Sequence, residues 1–173
     1  VVAGAVILPG GVWLPGLNDS KRLSPGRRTE LAALIKERAL AWVVAEVGVA
    51  YIDQYNIRQA ALEAMRRCVA GLAVPPDYLL VDGMVIPQLR VPQTSLIRGD
   101  SRSASIAAAS ILAKVARDEL MERLDPVYPG YGFGRHKGYG TPEHLAALAR
   151  LGPCPIHRYS FAPVRESARE AHA

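Results

Sequence analysis

Apolar and polar positions along this chain fall into short unbroken apolar runs and longer stripes of helical spacing. Val1–Leu8 is one such run, which predicts a buried strand, and Pro9-Gly10-Gly11 predicts the turn that ends it. Ser24 followed by Pro25 marks a helix start, a capping hydroxyl and then proline at the first helical position. Leu31, Leu34, Ile35 and Ala39 carry the stripe of that helix to about Leu40. Trp42–Val49 is apolar and β-branched and predicts a strand. Asn56 predicts the cap of a second helix through Leu62, Met65, Val69 and Leu72, stopped by Pro75-Pro76. Leu79–Asp82 and Gln93–Ile97 predict two short strands. Ser103 or Ser105 begins a long helix to about Leu124, with Ile106, Ala109, Leu112, Ala113, Ala116 and Leu120 as its stripe. Residues 125–140 predict a glycine- and tyrosine-rich loop, Thr141-Pro142-Glu143 opens another helix, and the polar stretch after Pro163 predicts a loose tail. Strands and helices alternate throughout, so the expected class is α/β in a single domain.

Composition narrows the picture. Half of the 173 residues are hydrophobic, enough for a sizeable core and too many for a disordered chain. Lys and Arg outnumber Asp and Glu by 21 to 16, a balance that favours a polyanionic partner without proving one. Cys68 and Cys154 have neither CxxC spacing nor a flanking histidine pattern, so zinc and a disulfide framework are not indicated and a reducing cytoplasm is expected. No apolar run reaches the roughly 18 residues of a membrane span.

Candidate chemistry sits at strand ends and loops. Asp82 closes the run Tyr78-Leu79-Leu80-Val81-Asp82-Gly83, and Asp100 closes Leu96-Ile97-Arg98-Gly99-Asp100. Two carboxylates at neighbouring strand ends repel each other, and a hard divalent cation relieves that repulsion. Asp-Gly is also a common turn pair, and Asp100 is also a good helix cap. Asn18-Asp19-Ser20-Lys21-Arg22 offers an amide, a hydroxyl and cations that suit a phosphate; an exposed loop has the same composition. Arg98 and Arg102 flank Asp100 and suit backbone phosphates or solvent equally. His136-Lys137-Gly138-Tyr139-Gly140 follows Tyr128, Tyr131 and Phe133; cations with aromatics suit a nucleic acid, whereas the earlier aromatics also suit a core. His136, His144, His157 and His172 show no metal-ligand spacing, and no nucleophile triad or glycine-rich phosphate loop is present.

Several of these segments together resemble ribonuclease HII, the type 2 ribonucleases H. They are Leu17-Asn18-Asp19-Ser20-Lys21, Leu80-Val81-Asp82-Gly83, Gly99-Asp100-Ser101, Ala107-Ala108-Ala109-Ser110-Ile111-Leu112-Ala113-Lys114-Val115 with Arg117-Asp118, His136-Lys137-Gly138-Tyr139, and His157-Arg158 with Ser160-Phe161. The resemblance implies a ribonuclease H-like mixed sheet flanked by helices, with a C-terminal helical extension. It implies one domain over residues 1–173, a substrate-contacting loop and extension within 125–165, and a flexible tail at 166–173. The implied activity is endonucleolytic cleavage of RNA in RNA–DNA hybrids and at ribonucleotides embedded in duplex DNA, with Mg²⁺ or Mn²⁺ as cofactor. Asp82 and Asp100 would be two of four metal-binding carboxylates. Asn18, Ser20, Lys21, Arg98, Arg102, His136, Lys137, Gly138 and Tyr139 would contact substrate, Tyr139 near the sugar at the RNA–DNA junction. The family's other two carboxylates belong to an Asp-Glu-x-Gly-Arg-Gly segment ahead of the strand matching Val1–Leu8. No such motif occurs in this sequence, and Asp118-Glu119 falls in the downstream helix match. The expectation is an N-terminally truncated chain without the first strand and with impaired activity, or a non-catalytic RNA–DNA hybrid-binding remnant.

Overall fold

The computed structural model describes residues 1–170. Strand β1 (Val2–Ile7) pairs antiparallel with β2 (Ala41–Glu46), from Val2 opposite Glu46 to Ile7 opposite Ala41. Helix α1 (Pro25–Arg38) lies between them in sequence and starts as its residues dictate, with Ser24 Oγ accepting from the Arg27 amide at 3.3 Å. The strand predicted to reach Val49 stops at Glu46, and α2 (Val49–Tyr55) begins after Gly48. The apolar, β-branched composition of 47–52 concealed that helix, because Ile52 is the single position it fully buries. Helix α3 (Ile57–Gly71) opens under Asn56, whose Oδ1 accepts from the amides of Arg58 and Gln59 at 3.0 and 3.1 Å. Strands β3 (Leu79–Asp82) and β4 (Gln93–Leu96) then pair in parallel.

Helix α4 (Ala104–Leu124) is the long helix anticipated from sequence. Its buried face shares Ile106 and Leu112 with the expected stripe but extends to other positions: Ala108, Ile111, Leu112 and Val115 pack with Leu14, Leu31, Ala32 and Ile35 in a core cluster. Alanine-rich helices offer no size contrast between faces, so periodicity alone cannot orient them. Burial of Leu31, Ile35, Ile111 and Leu112, each at most 1% exposed, stabilises this cluster by about 1.5–3 kcal/mol per side chain. The expected Ala109 faces β1 instead, where a Cβ on Gly4 would come within 2.5 Å of the Ala109 carbonyl oxygen. Glycine at position 4 is what lets strand and helix approach so closely.

The chain divides into two compact units: Val1–Glu46 with Ala61–Ala116, and Val47–Ala60 with Arg117 onward. In the first unit the described strands form two separate two-stranded sheets, β1-β2 and β3-β4, where one mixed sheet was expected. A cavity of about 770 Å³ runs along both sheets. It is lined by Val1–Leu8 along β1, by Tyr78–Asp82 along β3, and by Met65, Ile106, Ala109 and Ala113.

The second unit contains α5 (Phe133–His136), α6 (Pro142–Leu151) and α7 (Ala162–Glu170). Thr141 Oγ1 caps α6 by accepting from the His144 amide at 3.2 Å. The expected loose tail is therefore helical as far as Glu170, anchored by buried Val164 and by Ser167 Oγ donating to the Leu148 carbonyl at 2.9 Å. The rest of that expected tail, with His172, lies outside the described residues.

Candidate metal and nucleic-acid site

Asp82 is the last residue of β3, and its Cα partner in the parallel ladder is Leu96, the last residue of β4. From there the chain needs only Ile97 and Arg98 to reach a single 3-10 turn, Gly99–Ser101. The Gly99 amide donates to Asp82 Oδ1 at 2.8 Å, so the first carboxylate is bonded to the residue immediately before the second. A Cβ at Gly99 would stand 3.3 Å from that oxygen and 2.5 Å from Ile106 Cδ1, which explains the glycine. Asp82 is exposed, while Asp100 is only 9% exposed. Lys21 Nζ reaches Asp100 Oδ2 at 3.9 Å, a loose pairing whose lysine is 81% exposed.

Loop 18–22 is held in place by its own polar groups. Asn18 Oδ1 accepts from the Asp19 amide at 2.8 Å, and Asp19 caps a 3-10 turn, Ser20–Arg22, by accepting from the Lys21 amide at 2.9 Å. Ser20 is 3% exposed and its hydroxyl lies 3.0 Å from that of Ser110 on α4. Ser20, expected to meet substrate, thus tethers the loop to the helix and leaves Lys21 outward. Arg98, in the left-handed region at φ 55°, and Arg102 are both exposed. Among the described residues no third acid, histidine or cysteine joins Asp82 and Asp100 in a metal-ligating group.

In the second unit the His136–Tyr139 segment divides in two. Tyr139 is 54% exposed, with the Arg117 guanidinium 5.5 Å from its ring centre. His136 is 7% exposed and both its ring nitrogens are engaged, Nδ1 by the Gly138 amide at 3.1 Å and Nε2 by the Tyr131 carbonyl at 2.7 Å. Burial and saturation turn His136 from an expected contact into a support. Lys137 pairs with Glu122 and donates to the Gly134 carbonyl at 2.6 Å, so it too is largely committed within the unit. Gly138, at φ 74°, lies against Met121, which a Cβ would approach to 3.2 Å. Tyr131 and Phe133 are core residues, the plainer of the two readings their sequence allowed.

Ser110, Arg117 and His157 lie in segments that carry the family resemblance but had no role assigned, and His144 lies in none of them. The fold sets Ser110 against Ser20, Arg117 and His144 against Tyr139, and His157 behind His144. Burial pushes the Cys154 thiol up, and it holds His157 down to about 4, helped by His144 and Arg158. His144 is lowered as well, chiefly by burial, against the raising effect of the Tyr139 carbonyl.

Comparison with known proteins converges on one family. A family model described as ribonuclease HII matches residues 1–164. The chain is 58% identical over 161 residues to the ribonuclease HII of Moorella thermoacetica, covering 93% of this chain and 78% of that one. It is 58% identical over 167 residues to the ribonuclease HII of Geobacillus thermodenitrificans, covering 96% of this chain and 64% of the relative. Among solved structures, the ribonuclease H2 of Pyrococcus horikoshii superposes with a TM-score of 0.76 at 20% identity over 99% of both chains, a likeness of fold.

Proposed function

This chain belongs to the ribonuclease HII family, a family of hydrolytic endonucleases, and on that premise we propose that it acts on RNA–DNA hybrid duplex and on ribonucleotides embedded in DNA. The observation that carries the reading is the hydrogen bond from the Gly99 amide to Asp82, which fixes one carboxylate beside the residue that bears the next. Hard oxygen donors at the end of β3 and in the turn that follows β4 fit Mg²⁺ or Mn²⁺, which bind through one or two carboxylates and fill the remaining positions with water and phosphate oxygens. Such a cation, when bound, supplies activation of the attacking water and neutralisation of the leaving 3′ oxygen.

The chain's own residues supply the rest. Asp82 and Asp100 would hold the cation, and hydrolysis, in which water attacks phosphorus and the P–O3′ bond breaks with a proton passing to the 3′ oxygen, would leave a 5′-phosphate and a 3′-hydroxyl. Lys21, Arg98 and Arg102 contact backbone phosphates, with Asn18 shaping the loop that presents Lys21. Tyr139 meets the sugar at the junction, and Gly138 allows the close backbone approach.

Two acids are half of the set that the family resemblance implies. Within residues 1–173 the cation would be held weakly and cleavage would be slow. Strands β1 and β3 each pair with one strand and both line the cavity, so an extended segment bearing Asp-Glu-x-Gly-Arg-Gly could add to an open edge there. The test is cleavage of a duplex containing one ribonucleotide in Mn²⁺, by the 173-residue chain and by the same chain preceded by such a segment. Cleavage on the 5′ side of the ribonucleotide, strong in the second protein and weak in the first, supports the proposal. Salt-sensitive hybrid binding by both with no cleavage by either would instead mark a binding protein.

A further inference from the structure

Three imidazoles stand behind Tyr139, gathered around Phe133, whose ring centre is 5.5 Å from His144 and from His157 and 5.8 Å from His136. The directions of their hydrogen bonds follow by elimination. A carbonyl oxygen only accepts, so His144 Nδ1, 2.9 Å from the Tyr139 oxygen, carries a proton. An amide only donates, so His157 Nδ1 accepts from the Cys154 N–H at 3.0 Å. The Cys154 thiol, 3.1 Å from the same nitrogen, is kept protonated by burial and is a second donor; the Cys154 carbonyl at 3.3 Å is the weaker contact. A neutral His157 then carries its proton on Nε2 and donates it across 3.1 Å to the bare Nε2 of His144. By the same logic His136 accepts from the Gly138 amide and donates to the Tyr131 carbonyl.

The Gly138 N–H and the Tyr139 C=O are thus each gripped by an imidazole, and those two rings stack 4.2 Å apart at 12°. The grip opposes a real tendency to relax at Lys137, a non-glycine residue held in the left-handed region at φ 52°; Gly138 at φ 74° adopts that region without strain. Another proton has no place in the row. Charging His144 or His157 would set N–H against N–H, beside the positive charge of Arg158, whose guanidinium lies 3.7 Å over Phe161. Asp53, the acid nearest Arg158, is already occupied by the Tyr159 and Ser160 amides and the Ser160 hydroxyl.

We propose that His144, oriented by His157 and Cys154, is a positioning residue for Tyr139: the ordered row of neutral imidazoles fixes the 138–139 backbone and so the angle at which the Tyr139 ring meets a ribonucleotide sugar. This rests on the reading of Tyr139 as the junction contact.

Binding of the 173-residue chain to a duplex with one ribonucleotide, relative to an all-DNA duplex, reads the effect without requiring cleavage. His144→Phe keeps the ring and its stacking but removes the donor; His144→Asn restores an N–H near the Nδ1 position. The expected result is a preference reduced about tenfold by His144→Phe, the scale of one lost hydrogen bond, and largely retained by His144→Asn. His144→Phe should have no further effect in a Tyr139→Ala background, because both act through one ring. Equal losses in the two backgrounds overturn the positioning role while leaving the junction reading intact. A Tyr139→Ala chain with unchanged preference overturns the junction reading and the inference with it. If His144→Phe fails to fold, nitrogen NMR of the unaltered chain decides: neutral His144 protonated at Nδ1 and neutral His157 protonated at Nε2 support the row, and any other arrangement at pH 7 overturns it.

Discussion

The two units treat their functional groups in opposite ways. At the end of β3 the acids are sparsely bonded: Asp82 takes one backbone amide on one oxygen, and Asp100 has a lysine at 3.9 Å. Behind Tyr139, by contrast, the imidazoles are saturated, each ring nitrogen of His136, His144 and His157 having a partner within about 3.1 Å. On the proposed function, a cation and a phosphate would complete the first centre, and a loop that meets a sugar would arrive already fixed, since freedom lost on binding costs affinity.

The sharpest way to break this contrast is to remove an acid. In the chain carrying the added acidic segment, Asp82→Asn should reduce the cleavage rate in Mn²⁺ a hundredfold or more, about 3 kcal/mol of transition-state stabilisation, with little change in melting temperature. Near-normal turnover would mean that the strand-end acids are structural. Next in size is Gly4→Ala, which tests the frame that carries them. The new methyl would meet the Ala109 carbonyl, which is backbone and cannot swing aside, so denaturant unfolding should show a loss of about 2 kcal/mol. A stability equal to the parent would deny the close strand–helix approach.

Acid should then affect the second unit. His157 titrates near 4 when folded against an ordinary 6.5, so between those values the unfolded chain binds more protons than the folded one. Stability should be fully present above pH 6.5, fall as pH drops toward 4, and level off below that as far as this group is concerned. Allowing for solvent screening, the loss is on the order of 1–2 kcal/mol, and His157→Gln should flatten it in a pH series of thermal melts. An unchanged slope in the variant would remove the imidazole row from the account. The smallest effect belongs to Lys21→Ala. An exposed, loosely paired lysine contributes below about 0.5 kcal/mol to folding, yet its loss should shallow the salt dependence of hybrid binding by about one phosphate contact. An identical salt slope would place Lys21 away from the nucleic acid.

Much of this was legible in the residues themselves. Capping side chains announced α1, α3 and α6 at Ser24, Asn56 and Thr141, because those signals are local. The run Leu79–Asp82 gave β3 to the residue, and the acids at 82 and 100 needed only their strand-end setting to be noticed. What failed to show was everything decided by distant packing. Helix α4 buried Ile106 and Leu112 as expected but shifted the rest of its buried face because its alanines weigh alike, and α2 was hidden in apolar residues that suited a strand. Two small sheets stand where one was expected, with the cavity running along β1 and β3. His136 read as a contact because basic residues beside aromatics suit nucleic acid; burial made it a brace. His157 fell in a segment of the family resemblance without a role, and His144 carried no signal, since a row assembled from separate elements leaves no fixed spacing.

The most direct measurement is the binding of Mn²⁺ to the 173-residue chain, followed by electron paramagnetic resonance in the parent and in Asp82→Asn, Asp100→Asn and Asp118→Asn. The account predicts weak binding that both strand-end substitutions abolish and Asp118→Asn leaves untouched. Binding that survives the loss of either Asp82 or Asp100 would contradict it.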